Sequence, residues 1–237
     1  MSVLSIVQDH CRLHTLNVPS SVVGNAESGV IQFLAIIREI IQELVTESKF
    51  NATTQEATFV ATGAADQGAM ATLAPNGYQW AIFESFYDRT LRRPLAGPLD
   101  EQEWQELQAL PSSGTWFKYR IRQNHLLLNP APASPFSTIA FEYISSWAVT
   151  SSLGVLKSDI TDDADLFVFP ENIVRKGLLF RWKQIKGLPY QADETQYYNL
   201  LNKYVARDKV KRRIDVSTSD DVDLRPGIFI RSNSWLV

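Results

Sequence analysis

The run Ile40-Ile-Gln-Glu-Leu-Val-Thr-Glu-Ser-Lys-Phe50-Asn-Ala-Thr-Thr-Gln-Glu-Ala-Thr-Phe-Val-Ala61 changes its repeat halfway along, and the fold turns on that change. Up to Val45 the apolar residues recur every three or four positions, the mark of a helix. Beyond Asn51, β-branched and aromatic residues alternate with polar ones, the mark of strands. Reading back from the switch, Val30, Phe33, Leu34, Ile37, Ile40, Ile41, Leu44 and Val45 define a helix over about 27–48. Its apolar stripe is wide enough for two packing partners, either two helices or a helix and a neighbouring subunit. A shorter helix precedes it over about 2–16, with Val3, Leu4, Val7, Cys11 and His14 on its inward face.

Reading forward, the alternating pattern runs to about residue 169. Strands are predicted over 56–61, 69–73, 80–88, 116–122, 125–129 and 138–149. Gln123-Asn124 is a two-residue hairpin connection. The run from Asn129 to Pro135 holds three prolines and separates the next pair of strands. One helix interrupts over 99–110, with Asp100 as N-cap and Glu103 as its capping-box partner. Helix returns after Phe169-Pro170, with Val174, Leu178, Arg181 or Trp182, and Ile185 as its stripe, and stops at Gly187 and Pro189. A last helix is predicted over about 192–214, facing inward through Tyr197, Leu200, Leu201, Tyr204 and Val205.

The expected fold class is therefore α+β: an α-helical bundle formed by both ends of the chain, an inserted antiparallel β-rich module and a C-terminal extended tail. The expected domains are 1–50 plus 170–216 for the bundle, 51–169 for the insertion and 217–237 for a docking tail.

Composition fits an ordinary globular protein, at 45% hydrophobic and 21% charged over 237 residues. A net charge of −3 argues against a chain devoted to wrapping nucleic acid. The single cysteine, Cys11, rules out an intrachain disulfide and fits a reducing compartment. The start lacks the basic region and apolar run of a signal peptide, and no stretch is long and apolar enough to span a bilayer, so no membrane role is expected.

Catalytic patterns are missing: there is no phosphate-binding glycine loop, nucleophile elbow or Cys-x-x-Cys. His10 and His14 lie four apart around Cys11, but a metal site would need a further ligand from a carboxylate or His125. A surface or subunit-contact helix is the expected reading, with no catalytic, cofactor-binding or metal-ligating residue. The acidic groups Asp162-Asp163 and Asp220, Asp221 and Asp223 read as solvated loop charge. Charge is uneven: between 171 and 216 eleven Lys and Arg stand against five acids. The densest part is Arg207-Asp-Lys-Val-Lys-Arg-Arg213, suited to a helix end, an acidic partner or phosphates. The tail carries Ile228, Phe229, Ile230, Trp235 and Leu236, apolar anchors that need a pocket.

The motif order resembles a known family. The runs Glu56-Ala-Thr-Phe-Val-Ala-Thr-Gly63, Asp66-Gln-Gly68, Ala71-Thr-Leu-Ala-Pro75 and Tyr87-Asp-Arg-Thr-Leu-Arg-Arg-Pro94, then Gly97-Pro-Leu, resemble the β module of tailed-phage head-to-tail adaptors, of the tail tubular or tail accessory type. Phe141-Glu-Tyr143, Phe169-Pro-Glu171, Gly177-Leu-Leu-Phe-Arg-Trp-Lys183 and Lys186-Gly-Leu-Pro-Tyr190 resemble that family's return to helix. The likeness spans roughly residues 2–208.

It implies a non-enzymatic virion protein that forms a homo-oligomeric ring, commonly of twelve copies, beneath the portal protein. Such a ring extends the DNA channel, so genomic DNA passes through without sequence-specific binding, and offers a platform to the tail nozzle and tail fibre proteins. Assembly in the host cytoplasm and residence in the virion neck follow. Lys209, Lys211, Arg212 and Arg213, with Ile228, Phe229, Ile230, Trp235 and Leu236, become the surface for the portal or a neighbouring subunit. The alternative is a DNA-packaging or nucleic-acid-binding factor using the basic C-terminal helix.

Overall fold

Two hydrophobic cores organise the chain, one built mainly by helices and one by strands. They are seen in a computed structural model that describes residues 2–47, 50–109, 116–134 and 136–208. The fold is mixed α+β, with six α-helices and antiparallel sheets among the described residues.

The helical core takes α1 (Val3–Leu13), α2 (Ser28–Glu47), α5 (Glu171–Ile185) and α6 (Gln191–Asp208). Ser2 caps α1, its Oγ accepting from Ser5 N at 3.3 Å. The wide stripe of α2 is satisfied within the chain: Ile37, Ile40 and Leu44 are fully buried, and α2 packs on α5. Gly177 makes room for this packing, because a Cβ there would lie 3.0 Å from Ile40 and 3.1 Å from Tyr197. The inward face of α5 is Ile173, Val174, Gly177, Leu178, Phe180 and Trp182. Ile185, expected on that stripe, is 54% exposed, because the helix ends as it leaves its partners. Of the inward set expected on α6, Tyr197 and Leu201 are buried, while Leu200, Tyr204 and Val205 are partly covered. Helix beyond Asp208, expected to about 214, lies outside the described residues.

The second core sits between two sheets. In the larger one, β1 (Thr54–Val60) pairs along its full length with β8 (Thr138–Ser145), Thr54 opposite Ile144 and Val60 opposite Thr138. Its other edge carries β3 (Tyr78–Ala81) and β4 (Tyr87–Asp88), and β5 (Arg93–Pro94) extends the sheet from β4. The smaller sheet is β2 (Asp66–Ala69), β7 (His125–Asn129) and β6 (Lys118–Arg122) in the order β2-β7-β6. The hairpin at Gln123-Asn124 forms with φ of 52° and 59°, the left-handed pair that a type I′ turn demands.

Phe86 stacks on Phe141 at 4.7 Å and on Tyr119 at 4.3 Å, with the Tyr119 hydroxyl donating to Phe83 O at 2.6 Å. Gly97 passes over this stack at φ 148°, where a Cβ would lie 2.5 Å from Tyr119 O. α4 (Glu101–Ala109) begins with the expected capping box: Glu103 N donates to Asp100 Oδ1 at 2.7 Å and Asp100 N to Glu103 Oε2 at 3.1 Å.

Several strand expectations are corrected. Residues 69–73 are not a strand: β2 ends at Ala69, and α3 (Met70–Leu73) closes a helical turn from Ala74 N to Met70 O at 2.8 Å. Ala, Met and Leu are good helix formers, and burying Met70 fixes the turn. The stretch 80–88 is broken by a 3₁₀ turn at Phe83–Ser85. The strand expected over 138–149 stops at Ser145, whose hydroxyl takes the N–H of Trp147 at 3.0 Å.

The chain then enters a third sheet, β10-β9-β11, of β9 (Val149–Thr150), β10 (Leu156–Lys157) and β11 (Leu166–Phe167). That small sheet belongs with the helices. Ala148, Val149, Ile160 and Phe169 lie in the helical core, although the sequence pattern groups them with the strands before them.

Candidate functional site

α5 forms the floor of a groove whose walls are α1 and α6. Its volume is about 760 Å³. Ile6 and Leu13 come from α1, Leu178 and Leu179 from α5, and Leu200 from α6. Spacings of three, four and seven put Ile6, His10 and Leu13 on one side of α1, which is why a short helix can line a groove and still bury Val3 and Val7 in the core. The rim is basic: Arg12, Arg175 and Lys176 stand around the single carboxylate Asp9. Asp9 bridges Arg12 and Arg175, each at 3.3 Å, and Lys176 donates to Gln196 at 2.8 Å. Leu13 is 68% exposed within this setting.

At one end of the groove lies the histidine pair. His10 and His14 are 4.8 Å apart, ring to ring; both contact Trp182, and His10 also meets Phe33 edge-on. His10 is buried, which corrects the expected surface helix with two histidines. Burial, then the neighbouring His14 and Lys183, push its pKa down to about 4. His14 is lowered for the same first reason, with Lys183 adding to it and Asp193 opposing. Neither Nε2 has a hydrogen-bond partner, so both rings serve as neutral aromatic packing. Burial and Glu27 raise the Cys11 thiol, so it stays protonated. His125 lies in the other core's sheet, 3.0 Å from Asp66. Among the described residues, no group of three or more His, Cys, Asp or Glu is placed to hold a metal ion.

Asp163 is not solvated loop charge, as expected for the pair with Asp162, which stays exposed. Its Oδ1 accepts from Val22 N at 2.9 Å and Val23 N at 2.8 Å. Asp165, which the sequence did not single out, is fully buried. It receives the N–H groups of Thr161 and Asp162, and Lys157 Nζ reaches both its oxygens at 2.8 and 2.9 Å. Burial works to raise this carboxyl, but Lys157 and the two N–H groups outweigh it and hold it below the usual range. The carbonyls of Asp163 and Asp165 take the first N–H groups of α1, and Arg38 clasps Asp159 with two bonds of 2.8 Å. The loop is a structural clamp between α1 and α2.

Part of the positive charge after residue 170 is paired inside the fold. Arg175 pairs with Asp9, Arg181 with Glu39 and Glu43, and Lys183 with Asp193. Residue counting could not foresee this, because the partners lie on other helices. The predicted partner surface, Lys209, Lys211, Arg212, Arg213, Ile228, Phe229, Ile230, Trp235 and Leu236, lies outside the described residues, as do Asp220, Asp221 and Asp223. The structure does place its root: Asn51 N and Nδ2 hold the Asp208 carboxylate and carbonyl at 2.5 and 2.7 Å, fixing the end of α6. No described helix is long and apolar enough to cross a membrane.

No known protein family matches the chain, and no curated protein matches it in sequence.

Proposed function

We propose that the protein is a structural head-to-tail adaptor of a tailed phage, a virion component with no enzymatic activity. In this reading both ends of the chain build a helical bundle, the strands form an inserted module, and residues 217–237 are an extended docking tail. Copies associate into a ring, dodecameric in the family it resembles, below the portal protein, extending the DNA channel and carrying the tail nozzle and tail fibre proteins. The carrying observation is architectural. Helices from the two ends of the sequence share one core and the strands between them close a second, and the motif order resembles that of such adaptors. The buried His10, whose pKa burial lowers, and the internally paired carboxylates fit a scaffold better than a reaction site.

The alternative, a nucleic-acid-binding factor using the basic C-terminal helix, draws less support. Arg175, Arg181 and Lys183 already have carboxylate partners, which leaves fewer of the basic side chains after residue 170 for phosphates. Sedimentation and negative-stain imaging of the chain with its portal test the reading. A ring of fixed size seated under the portal is expected. A chain that stays monomeric with portal, yet shifts DNA with a steep salt dependence, would overturn it in favour of the alternative.

A further inference from the structure

We propose that the α1–α5–α6 groove is the receptor for this chain's own C-terminal segment, which it holds in cis through Ile228, Phe229 and Ile230. The groove has an apolar floor and a basic rim, so its complement is an apolar segment led by acids. The sequence supplies that pattern once after α6: Asp220, Asp221 and Asp223, then Ile228-Phe-Ile230. Three carboxylates would meet Arg12, Arg175 and Lys176, beside which Asp9 is the one carboxylate among the described residues lining the groove. A volume of about 760 Å³ suits a few large side chains and falls within the range of ordinary ligand sites.

Reach is no obstacle. The described chain stops at Asp208, pinned beside Asn51, and α6 itself supplies Leu200 to the groove wall. Helix α6 is about 27 Å long, whereas residues 209–227 extended could span roughly 60 Å. A tethered segment also has an effective concentration that a free peptide lacks. Docking in cis would cover Leu13, 68% exposed without it. The inference stands apart from the adaptor reading, since it concerns the free chain and holds whether or not a ring forms. In an assembling ring, a portal would have to compete the segment out of the groove.

The test uses the full chain at high dilution with a short bis-maleimide. Leu13→Cys with Ser232→Cys reports on the groove and keeps Ile228, Phe229 and Ile230 in place. Leu153→Cys with Ser232→Cys is the control, because Leu153, 89% exposed on the β9–β10 turn, is not a groove residue. Intramolecular linkage through position 13 should be roughly tenfold faster or more than through position 153, as a docked tether requires. Replacing Asp220, Asp221 and Asp223 with Asn should erase most of that preference without touching any described residue. Equal rates at the two positions, linkage only between chains, or a preference unchanged by the Asn substitutions would each overturn the proposal. Sedimentation of the unlinked chain with portal scores the adaptor reading separately.

Discussion

The two cores are assembled in opposite ways. The strand core draws on one continuous stretch, from Ala57 to Tyr143, and centres on a stack of aromatic rings. The helical core is mainly aliphatic, with Ile37, Ile40, Leu44 and Leu178 fully buried in it and aromatic rings such as Trp182 and Tyr197 among them, and its pieces come from both sides of that stretch. One can close through contacts within its own segment; the other must bring distant parts of the chain together, at an entropy cost that grows slowly with the intervening length. What keeps that closure cheap is visible in β1 and β8. Thr54 and Ile144 are paired neighbours, so the strand module leaves the helical part and returns to it at almost the same place.

The largest test cuts the cores apart. Replacing residues 54–145 with a short Gly-Ser linker should leave a helical protein that melts cooperatively, since the linker spans paired positions. Replacing 51–169 should not, because it strips Ala148, Val149, Ile160 and Phe169 from the helical core along with the Asp163 and Asp165 clamp. Circular dichroism melts compare the two variants, and equal stability would mean that the small third sheet contributes nothing to the helices. Next in size, Phe141→Ala should cost about 3–5 kcal/mol in the strand core. Hydrogen exchange should then rise in β6, β7 and β8 and leave α2 nearly unchanged; equal loss in both would show that the cores unfold together.

A third test reaches the helical core through pH. His10 titrates near 6.5 when unfolded and near 4 in the fold, so the unfolded chain takes up its proton first as pH falls. Stability is therefore full above 6.5, declines between 6.5 and about 4, and levels off for this group below that, a loss on the order of 3 kcal/mol. Asp165 works in the same direction at lower pH, because its carboxyl is held below the usual range and its contribution fades as it protonates. Urea titrations across pH 4–7 measure the slope, and His10→Phe, which keeps a ring against Trp182 and Phe33, should flatten it. The smallest effect is Asp100→Ala, about 1 kcal/mol through the lost N-cap. Exchange should show it as fraying of α4 alone.

Legibility in the sequence tracked the range of the cause. The capping box at Asp100 and Glu103 and the turn at Gln123-Asn124 were readable because each is complete within four residues. The wide stripe of α2 was readable too, since it reports how much of a helix is covered. What covers it was not: Gly177 fits between Ile40 and Tyr197 for reasons that lie far away in sequence. The same limit hid the home of Val149 and Ile160, whose local pattern is strand-like while their packing partners are helices. His10 was misjudged because spacing alone does not show Trp182 closing over it. The groove stayed hidden for a similar reason, its walls coming from three separate helices.

Lys157 is a counter-ion on a covalent tether. A loop of carboxylates could instead draw its neutralising charge from solution, and its order would then follow whatever ions the surroundings supplied. Here the ammonium arrives with the chain, at unit stoichiometry and with no dissociation to suffer on dilution. The buried carboxylate beneath α1 is thus neutralised by the protein alone, without recruiting a dissolved cation.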